Sequence, residues 1–150
     1  MRALRRPIPW NVSGFQTSLP GENQMIVPIY QIPELVRPLL ESAPQEQFVV
    51  VSLDTKLKPI GVHPITIGTL DSSLVHPREV FRVAMLANAR AIFVVHNHPS
   101  GDLIPSKQDI KVTERLKKCG KMLGIAVLDH IIVGVDDSGE YRGISLAEAI

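Results

Sequence analysis

Ala91-Ile92-Phe93-Val94-Val95-His96-Asn97-His98-Pro99-Ser100-Gly101-Asp102 decides how this chain folds and what it carries. The unbroken apolar run from Ala91 to Val95 reads as a strand covered on both faces. It delivers two imidazoles, two residues apart. Residues i and i+2 of a strand point to the same face. His96 and His98 therefore bind one ion from one side if the strand geometry persists that far. Just downstream, Pro105-Ser106-Lys107-Gln108-Asp109 opens a helix, and Asp109 is a candidate third ligand. Three protein ligands plus a water is the plan of a catalytic zinc site rather than a closed structural one.

Ser106 to Leu123 is the clearest helix of the sequence. At 100° per residue, Val112, Leu116, Cys119 and Leu123 share one side, which is expected to be buried. Lys107, Lys111, Arg115 and Lys118 lie on roughly the opposite side. Asp109 falls near the edge of the apolar face, so its carboxylate leans toward the strand bearing the histidines. Ser106 with Asp109 also matches a capping box, which would hold Asp109 in place. Gly124 ends the helix.

Elsewhere the signals are shorter. Residues 1–24, with Pro7, Pro9, Gly14, Pro20 and Gly21, read as an arm, and 25–150 as the domain. Ile26 to Ile32, broken by Pro28, is at best an edge strand. A short helix starts at Pro33 and must end by Pro44. Phe48 to Leu53 reads as a buried strand, joined by a turn to a second strand from about Ile60 to Leu70, where Pro64 and Gly68 predict irregularity. Pro77 opens a helix to about Asn88. A strand from Ile125 to Val135, a turn at Asp137-Ser138-Gly139, a last short strand and a helical tail complete the chain. Strands and helices alternate, yet the first strands form a hairpin. The fold class expected is α/β, with a mixed sheet flanked by helices.

Composition excludes more than it proves. Over 150 residues the net charge is +1, giving no bulk pull toward nucleic acid or membrane. No apolar run is long enough to span a bilayer, and the basic start, Met1 to Pro7, lacks the apolar core of a signal peptide. Cys119 is the only cysteine, so there is no internal disulfide and no cysteine zinc site. A cytoplasmic protein is expected.

Zinc needs neutral imidazole and ionised carboxylate, both available at pH 7. Ser106 can donate a hydrogen bond to charge developing on a substrate oxygen. The plainer readings are a helix cap for Ser106 and Asp109, a hydrogen-bonded turn for His96 and His98, and a solvated face for the lysine stripe. His130, inside Leu128-Asp129-His130-Ile131-Ile132-Val133, reads as a structural hydrogen-bonder. His76 reads as a helix-start residue, and His63 is uninformative.

The spacing His96-x-His98, seven residues, Ser106-x-x-Asp109 resembles the JAMM metal motif of MPN-domain metalloproteases. The wording His-Asn-His-Pro-Ser-Gly-Asp is similar to the RadC-like branch, as are the segments Gly68 to Phe81 and Leu128 to Gly134. The resemblance runs from about residue 30 to 146. It implies an MPN/JAMM-like, cytidine-deaminase-like architecture with a curved mixed sheet. It also implies one zinc held by His96, His98, Asp109 and a water, and hydrolysis of peptide or isopeptide bonds. The family's upstream glutamate, set just before an apolar strand, is matched by Glu46 in Gln45-Glu46-Gln47-Phe48-Val49-Val50-Val51, with general acid/base work as its implied role. Ser106 would stabilise the tetrahedral intermediate. Glu79 is the runner-up base, though it looks like a first-turn carboxylate favoured by the helix dipole. Asn97 stands where many JAMM enzymes have Ser or Thr, which alters the surroundings of the ligands.

Two other functions compete. One is a DNA-associated, DNA-repair accessory protein of RadC type, which needs a basic surface. Arg2, Arg5, Arg6 and the lysine stripe supply only a weak one. Longer RadC-like proteins carry a helix-hairpin-helix region before the domain, and the residues preceding it here do not read as helical. The other is a metal-binding interaction module without turnover. A zinc deaminase is set aside, because His-x-Glu and Pro-Cys-x-x-Cys are both missing. The peptide or protein substrate and the oligomeric state are not legible.

Overall fold

The computed structural model describes residues 31–67 and 75–149. Its strands are β1 (Gln47–Leu53), β2 (Pro59–Ile67), β3 (Ala91–Asn97), β4 (Ala126–Val135) and β5 (Tyr141–Ser145). Its helices are α1 (Ile32–Leu40), α2 (Pro77–Leu86), α3 (Lys107–Leu123) and the short α4 (Leu146–Ala149). The strands form one sheet in the order β2-β1-β3-β4-β5. Only β3 and β4 run parallel, and α3 is the crossover between them. The other neighbours, β1 with β2, β1 with β3 and β4 with β5, are antiparallel. The mixed sheet expected from the sequence is the one found.

β3 shows why its sequence does not alternate. Ala91, Phe93 and Val95 pack on the face covered by α1, among Ile32, Val36, Val49, Val51 and Val133. Ile92 and Val94 pack on the opposite face under α2 and α3, among Val50, Phe81, Val112 and Leu116. Both faces are dry, so every position is apolar until the strand reaches its end, where His96 follows Val94 on the α2/α3 face. Burying each Val, Ile, Leu or Phe side chain contributes roughly 1.5–3 kcal/mol, so β3 is anchored at the centre of both cores.

Several boundaries move, each for a local reason. β3 continues through Asn97 rather than stopping at Val95, because the ladder to β4 extends to Asn97 and Val133. α1 ends at Leu40, short of Pro44: Pro38 has already removed the bond to the Glu34 carbonyl, and the Glu41 amide closes the last turn on Arg37. α2 stops at Leu86, since Asn88 turns left-handed at φ 55°. Among the described residues β2 reaches Ile67, the rest of the expected strand lying outside them, and its pairing with β1 slips at Phe48/Val49 beside Pro64, the irregularity that proline predicts.

The apolar face of α3 departs from the helical wheel at its end. Val112 and Leu116 are buried and Cys119 half-buried, but Leu123 is 48% exposed. Gly124, at φ 72°, folds Ile125 back so that its amide meets the Gly120 carbonyl. Ile125, outside β4 rather than opening it, fills that end of the core in place of Leu123. The basic residues of the stripe are exposed, as expected. The arm at 1–24, the edge strand placed at Ile26 to Ile32 (apart from its last residues) and the segment from Gly68 to Leu74 lie outside the described residues.

Candidate metal centre

The site forms where β3 ends and α3 begins. His96 leaves the sheet on the α3 face. The His98 amide still bonds the Val133 carbonyl at 2.8 Å, which carries strand geometry through both imidazoles. The chain then turns at Gly101, whose φ of 81° suits glycine and whose Cα lies so close to the Val135 carbonyl that a Cβ would overlap it. That turn presents the Asp102 carbonyl to His98 Nδ1 at 2.6 Å.

α3 starts with a complete capping box. The Asp109 amide donates to Ser106 Oγ at 3.1 Å, and the Ser106 amide donates to Asp109 Oδ2 at 2.7 Å. The helix terminus thus holds Asp109 in one rotamer, with its carboxylate aimed at β3.

His96 Nε2 and His98 Nε2 are 2.9 Å apart. Asp109 Oδ1 lies 3.2 Å from the first, and Oδ2 3.4 Å from the second. Ligand atoms of the three residues all fall within 4.8 Å of one another. A carbonyl only accepts, so His98 Nδ1 carries the proton shared with Asp102 and His98 Nε2 presents its lone pair. Two imidazole nitrogens and one carboxylate oxygen, converging this closely, fit a divalent transition-metal ion. His96 is fully buried, whereas the His98 side chain keeps 14% of its surface, so the cluster opens on the His98 side.

Electrostatics match the geometry. Burial alone would raise the Asp109 pKa, but His96, His98 and the Ser106 amide outweigh it and hold the carboxyl far below the usual carboxylate range. Burial pulls the other way on His98; there Asp109, the Asp102 carbonyl and Glu46 prevail and raise it.

Glu46, half-buried, immediately precedes β1. The register pairs Phe48 with His96, so Glu46 stands two residue pairs beyond, level with His98. Asn97 fixes it there. Its Nδ2 donates to the Gln45 carbonyl at 3.0 Å and its Oδ1 accepts from the Gln47 amide at 2.7 Å, so one buried side chain grips the peptide groups on either side of Glu46. Glu79 instead stands exposed in the first turn of α2, and beyond Asp109 it is Glu46 whose charge reaches His98. Ser106, with its Oγ accepting from Asp109, sits next to the three ligands.

Two residues behind His96 escape a reading by motif. His130, on β4, brings Nε2 to 2.6 Å from His96 Nδ1, and its own Nδ1 lies 2.6 Å from Thr113 Oγ1. Phe48 stacks on His96 and meets His130 edge-on, sealing the rings from water. His130 is the hydrogen-bonder its apolar strand suggests. Thr113 carries a signal that the sequence did offer, since it lies one helical turn after Asp109. The gripping role of Asn97 has no sequence signal, because it depends on the β1–β3 register.

A family model described as the RadC-like JAB domain matches residues 29–149. The chain belongs to that family. The RadC-like JAB domain here is 45% identical over 131 residues to a UPF0758 protein of Caldanaerobacter subterraneus, covering 87% of this chain and 54% of the relative. It is 58% identical over 84 residues to a UPF0758 protein of Thermotoga maritima, covering 56% of this chain and 38% of that one. A UPF0758 protein of Clostridium perfringens is 50% identical over 117 residues, with 78% and 49% covered. The chain spans about half the length of the curated relatives it matches, or less. Among the described residues, no helix of this RadC-like JAB domain is long and apolar enough to cross a membrane.

Proposed function

We propose that this protein is a zinc-dependent metallohydrolase of JAMM type, cleaving peptide or isopeptide bonds in the cytoplasm. The observation that carries the reading is the convergence of His96, His98 and Asp109 beside an upstream carboxylate, Glu46, whose charge acts on the same centre. A zinc ion held by the three residues would supply a Lewis acid that polarises the scissile carbonyl and makes water more acidic. Glu46 takes the proton that the attacking water gives up as its oxygen bonds to the carbonyl carbon. It passes that proton to the departing amine nitrogen as the carbon–nitrogen bond breaks. Ser106 Oγ accepts from the Asp109 amide, which leaves its own proton to donate to the oxyanion of the tetrahedral intermediate. The exposed side of His98, along the loop 99–105, is where substrate enters.

Elemental analysis and a peptidase assay on three proteins test this. Wild type should hold about one zinc per chain and hydrolyse peptide or isopeptide probes. Glu46→Gln should keep the zinc and lose about 10²–10⁴-fold in rate, the usual worth of a positioned acid/base group. His98→Ala should lose both. Zinc retained by wild type with no turnover on any probe would favour an interaction module. Wild type that takes up no zinc would sink the reading. A DNA-associated role is favoured by one observation: Lys107, Lys111, Arg115 and Lys118 stand exposed on α3, and among the described residues none forms an ion pair. Binding to duplex DNA that weakens steeply with salt would support it.

A further inference from the structure

We propose that Thr113 and His130 are positioning residues that dictate which nitrogen of His96 faces the metal. The proposal rests on the metal-centre reading above and concerns how its most buried ligand is prepared.

The proton positions follow from one fixed point. Thr113 Oγ1 lies 2.7 Å from the Asp109 backbone carbonyl, which can only accept, so the single hydroxyl proton is committed there. The same oxygen is 2.6 Å from His130 Nδ1 and must therefore accept. His130 Nδ1 carries a proton. The ring is fully buried, which opposes a second proton, and among the described residues its two nitrogens meet only Thr113 and His96. His130 Nε2 is then a bare acceptor. At 2.6 Å it takes the proton of His96 Nδ1. His96 is left with its lone pair on Nε2, the nitrogen 3.2 Å from Asp109 Oδ1 and 2.9 Å from His98 Nε2.

The chain of bonds leaves Asp109 by the backbone carbonyl, passes through Thr113 and His130, and ends at His96, whose bare Nε2 faces the Asp109 carboxylate at 3.2 Å. Asp109 is thus both ligand and the anchor that orients its fellow ligand. His98 receives the same tautomer by a separate route, from the Asp102 carbonyl. Two independent backbone acceptors, on different segments, aim two lone pairs at one point. Partners of this kind orient metal ligands and fix their tautomers.

The test uses the full chain labelled with ¹⁵N-histidine and freed of metal, read by long-range proton–nitrogen correlation of the rings. In wild type, His130 and His96 should each carry the proton on Nδ1. Thr113→Val removes the acceptor, so His130 should move its proton to Nε2 and force one onto His96 Nε2. Zn²⁺ affinity, measured by competition with a chromogenic chelator, should then fall about ten- to a hundredfold. Thr113→Ser, which keeps the hydroxyl, should restore both readouts. A purely structural role for Thr113 would move neither tautomer.

A wild-type His130 protonated on Nε2 overturns the proposal, and that spectrum decides even if Thr113→Val does not fold. Thr113→Val with unchanged tautomers and Zn²⁺ affinity within twofold of wild type also overturns it. A wild-type protein that takes up no Zn²⁺ overturns both this and the metallohydrolase reading, and it shows as a titration without a breakpoint rather than a weakened one.

Discussion

The α2/α3 face of the sheet buries histidines at two places, and it treats them in opposite ways. At the end of β3, both His130 ring nitrogens and His96 Nδ1 have hydrogen-bond partners, in a series that ends on Thr113. Across β1, on the edge strand β2, His63 is almost as buried, yet among the described residues its Nε2 has no hydrogen-bond partner. Nor does the buried Ser52 Oγ, which lies opposite Gly61 on the same face. A stranded buried polar group costs about 1–3 kcal/mol, whereas a fully bonded network contributes to rigidity. The comparison teaches that burial alone does not distinguish the two histidine sites. What sets the candidate metal centre apart is that its buried rings are bonded in series, His96 to His130 and His130 to Thr113.

The strongest way to break the contrast is to remove a ligand. Asp109→Ala should cut zinc retention by well over ~100-fold, beyond what the loss of an outer partner costs, with almost no zinc found per chain after dialysis. His130→Leu comes next. It strands the His96 Nδ1 proton and the Thr113 oxygen, and each should cost about 1–3 kcal/mol, read as a lower urea midpoint. The same operation at the other place should behave differently: Ser52→Ala discards an unbonded hydroxyl and should shift the midpoint by less than about 1 kcal/mol, toward stability if at all. A large loss there would show that Ser52 is wired too.

How far these features could be read beforehand depends on how local they are. The capping box, the left-handed Gly124 and the two imidazoles of one strand are set within a few residues, and the chain spells them out. The unbroken apolar run of β3 likewise declared a strand covered on both faces. The helical wheel places Leu123 in the core because it carries no information on Ile125 folding back to the Gly120 carbonyl. The grip of Asn97 on Gln45 and Gln47 spans about fifty positions, and the link from His96 to His130 spans thirty-four. Both depend on strand register, and no periodicity encodes that.

The smallest expected effect is that of pH on His63. Burial lowers its pKa below the ordinary imidazole value of 6.5. The unfolded chain therefore takes up a proton there before the folded one does. The stability from this residue is fully present above pH 6.5 and is lost as pH falls toward the folded-state value. Urea midpoints measured between pH 7 and pH 5 should decline less steeply in His63→Gln than in wild type. An identical slope would show that His63 is not held neutral by its burial.

The parallel crossover has a further consequence, for the order in which the protein is made. Glu46 comes just before β1, His96 and His98 come where β3 ends, Asp109 stands in the first turn of the crossover helix, and His130 arrives only with the strand that closes it. Until β4 docks beside β3, the His96 ring lacks the partner that orients it. A nascent chain that has already produced His96, His98 and Asp109 is still without a finished cluster until the last part of the sheet closes.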